Sequence, residues 1–218
     1  MSTDLFSAQL RAATWSEHQR AEDTAYLRAL VAGEVDRAGY ADMVAQHYFA
    51  YAVLEEAAAL VRHDPIAGGF ADERLARLPA LEQDLAALLG PDWRTRIAPS
   101  ASTRRYCDRM REVCFDWPAG FVAHHYTRYL GDLSGGQFLV RAIERRLGLD
   151  ATTGTAFYDF SVIGDLGAFK AAYRDRLDNA PWPPAERARI VAETAIAYDL
   201  NSAVLVELGE ALPTEAAA

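Results

Sequence analysis

Tyr126-Thr-Arg-Tyr-Leu-Gly-Asp-Leu-Ser-Gly-Gly-Gln137 sets three glycines within six positions of a stretch that otherwise suits a helix. Each glycine costs about 1 kcal/mol relative to alanine in a helix interior. Taken alone, the segment reads equally well as a loop splitting two ordinary helices. The flanks argue otherwise: Phe121, Val122 and Leu130 precede the glycines, and Phe138, Leu139 and Ile143 follow them. This pattern favours one bent helix whose missing Cβ atoms let something approach the backbone. A large flat ligand lying on the helix would meet that demand, and Asp132, among the glycines, could hold ordered water beside it.

Outward from this segment, helical periodicity runs through nearly the whole chain. Leu10, Thr14, His18, Ala21 and Ala25 recur every three or four residues, with Asp4 as a start signal and Gly33 as a stop. Further helices are expected over Tyr40 to Arg62, Leu75 to Leu88 with Pro79 as a kink or restart, and Thr103 to Val113. Pro118 suits the first position of a long helix ending at Leu147-Gly148. The last two span Asp165 to Leu177 and Pro184 to Leu208. No segment alternates cleanly enough to compete as a strand, and no repeat is visible. The expected fold is an all-α single domain of seven or eight helices over residues 1–210, with a flexible tail at 211–218.

Composition narrows the function. The chain has 218 residues, 51% hydrophobic and 24% charged, which suits one globular core. A net charge of -9 argues against a nucleic-acid partner. No apolar run approaches the roughly 20 residues of a membrane span, and the N-terminus lacks a signal-peptide core, so a cytoplasmic protein without a membrane anchor is expected. Cys107 and Cys114 are seven apart on a helix, about 10 Å, too far for a disulfide and consistent with reduced thiols.

The run YTRYLGDLSGGQ resembles the distal-helix signature of the haem oxygenases. Other blocks agree in order and spacing: Thr14-Trp-Ser-Glu-His18-Gln-Arg-Ala-Glu22 resembles the proximal-helix segment. Tyr48 to Glu56, Leu81 to Ala86, Phe169 to Arg174 and Asn201 resemble further family blocks. The resemblance therefore covers most of the chain. It implies haem b as both substrate and cofactor, held between a proximal N-terminal helix and the glycine-rich distal helix. The implied reaction uses molecular oxygen, with electrons from an external redox partner (a ferredoxin or a flavoprotein reductase), to release biliverdin, carbon monoxide and ferrous iron. A monomer is expected, and IXα is the expected isomer.

The resemblance also implies roles for residues. Of five histidines, His18 becomes the axial iron ligand, and its local sequence agrees: Thr14 and Ala21 leave room on its helix face, and Glu22 lies one turn on, within reach of the second ring nitrogen. Arg11, Lys170 and Arg174, with the Tyr126 hydroxyl, are implied to bind the propionates, and Ser134 to line the cofactor site. Lys170 is the only lysine in the chain, one helical turn from Arg174. Asp132 is implied to deliver a proton through water within a network completed by Tyr51, Arg128 and Asn201. Gly131, Gly135 and Gly136 would crowd the oxygen face and direct it to one meso carbon. Trp15 departs from mammalian members, which carry a lysine there, and puts one propionate or reductase contact in doubt.

Three rival readings account for fewer of these residues. A haem carrier needs His18 and the cations but has no use for Asp132 or the glycines. A di-iron protein needs Glu-x-x-His pairs, and no histidine here has a glutamate three residues before it. A thiamin-degrading enzyme needs a cysteine nucleophile, and neither Cys107 nor Cys114 falls near the constellation.

Overall fold

A computed structural model describes residues 5–212. The expected Asp4 cap and the tail from Pro213 onward lie outside them. The described chain is helical, without strands.

The N-terminal segment holds three short helices where periodicity suggests one: α1 (Phe6–Ala13), α2 (Trp15–Glu22) and α3 (Ala25–Ala32). Thr14, at φ -112° and ψ 14°, interrupts the first pair, and its hydroxyl bonds back to the Leu10 carbonyl at 2.8 Å. Thr24 is extended at ψ 144° and separates the second pair. Short breaks of this kind leave the apolar stripe nearly in phase, so hydrophobic spacing does not reveal them. Gly33 ends α3 in the left-handed region, φ 82°, as its stop signal requires.

Helix α4 (Arg37–Val61) starts three residues earlier than expected because Asp36 caps it, accepting from the Gly39 N–H at 2.8 Å. It is the central element, packing against α5 (Leu78–Leu89), α7 (Ala101–Cys114), α8 (Pro118–His125) and α11 (Pro184–Glu210). Pro79 restarts the chain at α5, and the preceding Leu75 sits in a separate 3-10 turn. A single turn, α6 (Trp93–Arg96), follows. Beyond α8 the backbone stays helical through two π turns, Tyr126–Leu130 and Asp132–Gly136, into α9 (Gln137–Leu147). Gly148 closes α9 at φ 65°. Helix α10 (Leu166–Asn179) is capped by Asp165. The extra breaks and the π turns raise the count to eleven α-helical segments among the described residues.

Two buried carboxylates fix this arrangement. Asp84 on α5 accepts the Ala156 and Phe157 N–H groups, each at 2.8 Å, and so holds the 3-10 turn Ala156–Tyr158 against the core. Glu193 on α11 joins three helices by accepting from His124 on α8 at 2.9 Å and Arg109 on α7. Burial alone would raise the Glu193 pKa, yet the hydrogen bonds from His124 and Arg109 hold it at about 2. Burial also lowers the His124 pKa, so the neutral ring donates its Nε2–H to the carboxylate. His125 beside it, neutral for the same reason, pairs with the Tyr173 hydroxyl at 2.9 Å. Cys107 and Cys114 are buried and free, and burial raises both thiols, Cys107 to about 11.

Because the Glu193 pKa is lower folded than unfolded, its stabilisation is present above about pH 4.5 and is lost as pH falls towards 2. Glu193→Gln should therefore lower stability by about 2–4 kcal/mol at pH 7. It should also flatten the fall in denaturation midpoint between pH 4.5 and 2; an unchanged acid limb would refute this role.

Candidate active site

The π turns open one side of the molecule. His125, Gly131 and Gln137, which flank these turns, are right-handed helical; Gly131 has φ -62° and ψ -52°. The glycines are thus not needed for backbone conformation but for space. A Cβ at Gly131 would meet no atom within 4 Å, and at Gly135 only the Glu22 carboxylate at 3.8 Å. At Gly136 it would touch Tyr158 at 3.4 Å. Bare backbone at Gly131 and Gly135 therefore faces open space. Neither the loop reading nor a simple α-helix describes this stretch.

That space is a cleft with two lobes, of about 570 and 770 Å³, sharing His18, Glu22, Gly131, Gly135 and Tyr198 in their walls. The first lobe is mostly apolar, with Leu27, Val31, Met43, Phe138, Leu139 and Leu205 around it. The second is lined by Thr14, Trp15, Tyr126 and Ser134 and by the cations Arg11 and Arg174. Phe138 is 64% exposed, an unusual state for a large apolar side chain on an amphipathic helix, and it sits at this cleft.

His18 is half-buried on α2. Its Nδ1 is buried without a hydrogen-bond partner and lies 3.5 Å from the Glu22 carboxylate, beyond a good hydrogen bond. The ring stacks on Trp15, with centroids 5.3 Å apart and planes 7° apart, and meets the Tyr198 ring edge-on at 5.7 Å. Arg11 lies over Trp15 at 5.3 Å, so the residue that departs from the mammalian lysine supports the adjacent cation.

Across from these helices, α4 and α11 meet the π turns around Asp132. Asp132 lines the first lobe and accepts a short hydrogen bond from the Tyr51 hydroxyl. Arg128 donates to the Asn201 side-chain oxygen, and its guanidinium lies 4.9 Å from the Tyr51 ring centre. Burial raises the Asp132 pKa, against the Arg128 charge and the Tyr51 hydrogen bond, which lower it. Burial likewise opposes the Arg128 charge, but Tyr51 and Asp132 keep it firmly cationic. All four residues expected to form this network are brought together.

The propionate candidates divide. Arg11, Arg174 and Tyr126 share the second lobe; burial raises the Tyr126 pKa while the Arg174 and Arg11 charges oppose that rise. Lys170 is not among the lining residues. Its amine donates to the Leu133 carbonyl at 3.0 Å and the Ser134 hydroxyl at 3.3 Å, satisfying a carbonyl of the second π turn. Periodicity could not foresee this because the acceptor is created by the π geometry.

One residue without an expected role also lines the first lobe: His47, whose ring stacks on Phe157 at 5.2 Å. Its position one turn before Tyr51 on α4 was a usable signal. His63 is exposed, and His124 and His125 are engaged in the core, which leaves His18 and His47 as the histidines facing the cleft.

The family model described as "Heme oxygenase" matches residues 4–207. The chain is 39% identical over 208 residues to "Heme oxygenase 1" of Synechocystis sp. PCC 6803, covering 95% of this chain and 86% of that one. It is also 39% identical over 214 residues to "Heme oxygenase 1" of Pongo abelii, covering 97% and 74%. The crystal structure of the Synechocystis heme oxygenase-1 in complex with heme superposes with a TM-score of 0.90 at 37% identity, over 96% of this chain and 94% of that one. The heme oxygenase of Leptospira interrogans gives 0.88 at 33% identity, over 94% and 100%. With a family match spanning nearly its whole length and relatives 39% identical over most of the chain, the chain belongs to the haem oxygenase family.

Proposed function

We propose that haem binds in the cleft between α2 and the Tyr126–Gly136 turns, where His18 would ligate its iron and Asp132, lining the same lobe, would donate protons. The observation that carries this reading is the convergence of His18 and Asp132, from different elements, on one apolar cavity floored by bare glycine backbone. The residues fit the group. The two lobes have the size for a macrocycle, the buried Nδ1 of His18 has a carboxylate 3.5 Å away, and two arginines and a tyrosine in the second lobe suit carboxylate groups.

As a haem oxygenase, the chain cleaves haem to biliverdin, carbon monoxide and ferrous iron, the macrocycle itself supplying the iron at which oxygen is reduced. Electrons come from an external ferredoxin or flavoprotein reductase, on our reading, and the protein works as a cytoplasmic monomer. Its own side chains bind, orient and protonate. Glu22, 3.5 Å from His18 Nδ1, is the group that would accept its N–H when haem is bound and so leave the Nε2 lone pair for the metal. A neutral imidazole withholds the electron push that thiolate ligation would give, and both cysteines lie outside the cleft.

Asp132, in the wall of the first lobe, would hold an ordered water there. Its raised pKa brings the carboxyl closer to neutrality, where it can both take and give a proton. Tyr51 fixes one carboxylate oxygen, and Arg128, anchored by Asn201, keeps the charge in place. The close backbone of Gly131 and Gly135 leaves room for a flat ring, while Gly136 lets Tyr158 pack behind the turn. Arg11, Arg174 and Tyr126, which line the second lobe, would hold the propionates and so orient the bound macrocycle. Lys170 acts at one remove, holding the Leu133 carbonyl and Ser134 that border the site. A carrier on the same scaffold would gain nothing from burying Asp132 against Tyr51.

Three outcomes test these assignments. His18→Ala should lose the native Soret band, with external imidazole restoring much of it; an unchanged spectrum would move the ligand to another residue. Asp132→Ala should still bind haem but form biliverdin about 10²–10⁴-fold more slowly, the usual span of a proton-transfer contribution. Wild-type turnover in that variant would remove Asp132 from the chemistry. The third concerns regiochemistry. Charge-assisted bonds are worth about 1.5–3 kcal/mol each, and about 1.4 kcal/mol suffices for tenfold selectivity. The wild type should thus release mainly biliverdin IXα, and Arg11→Ala/Arg174→Ala a mixture of isomers by chromatography. A single unchanged isomer would show that these cations do not orient the ring.

A further inference from the structure

His47 stands between two spaces. One is the apolar lobe of the cleft; the other is a small cavity with about 10 Å³ of room for a water centre, enough for roughly one molecule. Its walls include Met43, His47, Tyr106, Arg128 and Asn201. Among the described residues, six buried side-chain polar atoms lack a hydrogen-bond partner, and four of them belong to three of these walls: His47 Nδ1, the Tyr106 hydroxyl, and Arg128 Nε and Nη2. Buried polar groups are normally paired, so this concentration at one water-sized space indicates what fills it.

We propose that His47, Tyr106 and Arg128 close around one internal water, and that this water makes His47 a positioning residue of the oxygen-side network. One arrangement of donors and acceptors is assigned as part of this proposal. Arginine can only donate, so the water accepts from Arg128. It then has two protons to give, one to the Tyr106 oxygen and one to His47 Nδ1. Accepting at Nδ1 makes His47 the Nε2–H tautomer. That leaves one N–H for the cleft, into which the residue also faces.

The surroundings of the ring suit a neutral donor. Phe157 from the 3-10 turn stacks on it with planes 12° apart, and Tyr51 on its own helix meets it edge-on at 6.5 Å. Asn201 comes from α11, and Arg128 and Asp132 from the π turns. Burial first, and the Arg128 charge second, hold its pKa well below the usual value. The Nε2–H therefore supplies a fixed hydrogen-bond donor for an ordered water beside Asp132. This last role rests on the haem oxygenase reading; the water site itself does not.

The tests separate the two. In the haem-free protein, nitrogen NMR should show His47 as the neutral Nε2–H tautomer from pH 5 to 8, and a long-lived water should give cross-relaxation to the Tyr106 ring. Tyr106→Phe removes only the hydroxyl and should shift the His47 nitrogen signals. An Nδ1–H tautomer, titration near pH 6.5, or His47 signals unmoved by Tyr106→Phe would each overturn the water site. In the ferric haem complex, His47→Leu should shift the midpoint of the alkaline spectral transition by about half a unit or more, a threefold change. Tyr106→Phe should shift it in the same direction, and the double variant by less than the sum. Additive shifts, or none, would overturn the positioning role. Failure to bind haem would instead overturn the proposed function and leave the water site standing.

Discussion

The constraint on which the rest of the structure depends is the desolvation of Asp132. A carboxylate in the wall of an apolar cleft is costly unless something nearby supplies charge and hydrogen bonds. Tyr51 supplies a donor and Arg128 a positive charge. Arg128 is itself buried and must be anchored, which Asn201 does. These partners arrive on three separate elements: Tyr51 on α4, Asn201 on α11, and Arg128 with Asp132 on the π turns. The packing of those elements against one another is therefore inseparable from the chemistry they support.

The π turns serve the same end. Widening the helix through Tyr126–Gly136 creates carbonyls without their usual i+4 donors, and Lys170 and Gln137 take up two of them at Leu133 and Asp132. Glycine at 131 and 135 leaves that widened backbone uncovered on the cleft side. A wall of peptide groups can approach a flat ligand more closely than side chains permit. The price in helix propensity, about 1 kcal/mol per glycine, is small beside what a well-fitted macrocycle returns in buried area.

Away from the cleft, two carboxylates keep these parts in register. Glu193 ties α7, α8 and α11 together directly beneath the π turns, and Asp84 pins the Ala156–Tyr158 turn. That turn carries Phe157 onto His47 and Tyr158 behind Gly136, so a contact on α5 shapes both walls of the site.

What the amino-acid sequence determined by itself was local and periodic. Helix starts at Pro118, Asp165 and Pro184, stops at Gly33 and Gly148, and the apolar faces between them follow from capping chemistry and 3.6-residue spacing, which act within a few neighbours. The family blocks likewise carried His18, Asp132 and the Tyr51, Arg128 and Asn201 set, because each is marked by its own segment. Tertiary structure decided what those rules cannot reach. The breaks at Thr14 and Thr24 keep the apolar phase and so leave no periodic trace. Lys170 turned to a π-turn carbonyl that exists only because the helix widens. His47 gained significance when Tyr106, 59 positions on, met it and Arg128 at a single small cavity. A residue's hydrogen-bonding partners across the fold depend on which surfaces exclude water from one another, and that is settled only when the helices pack.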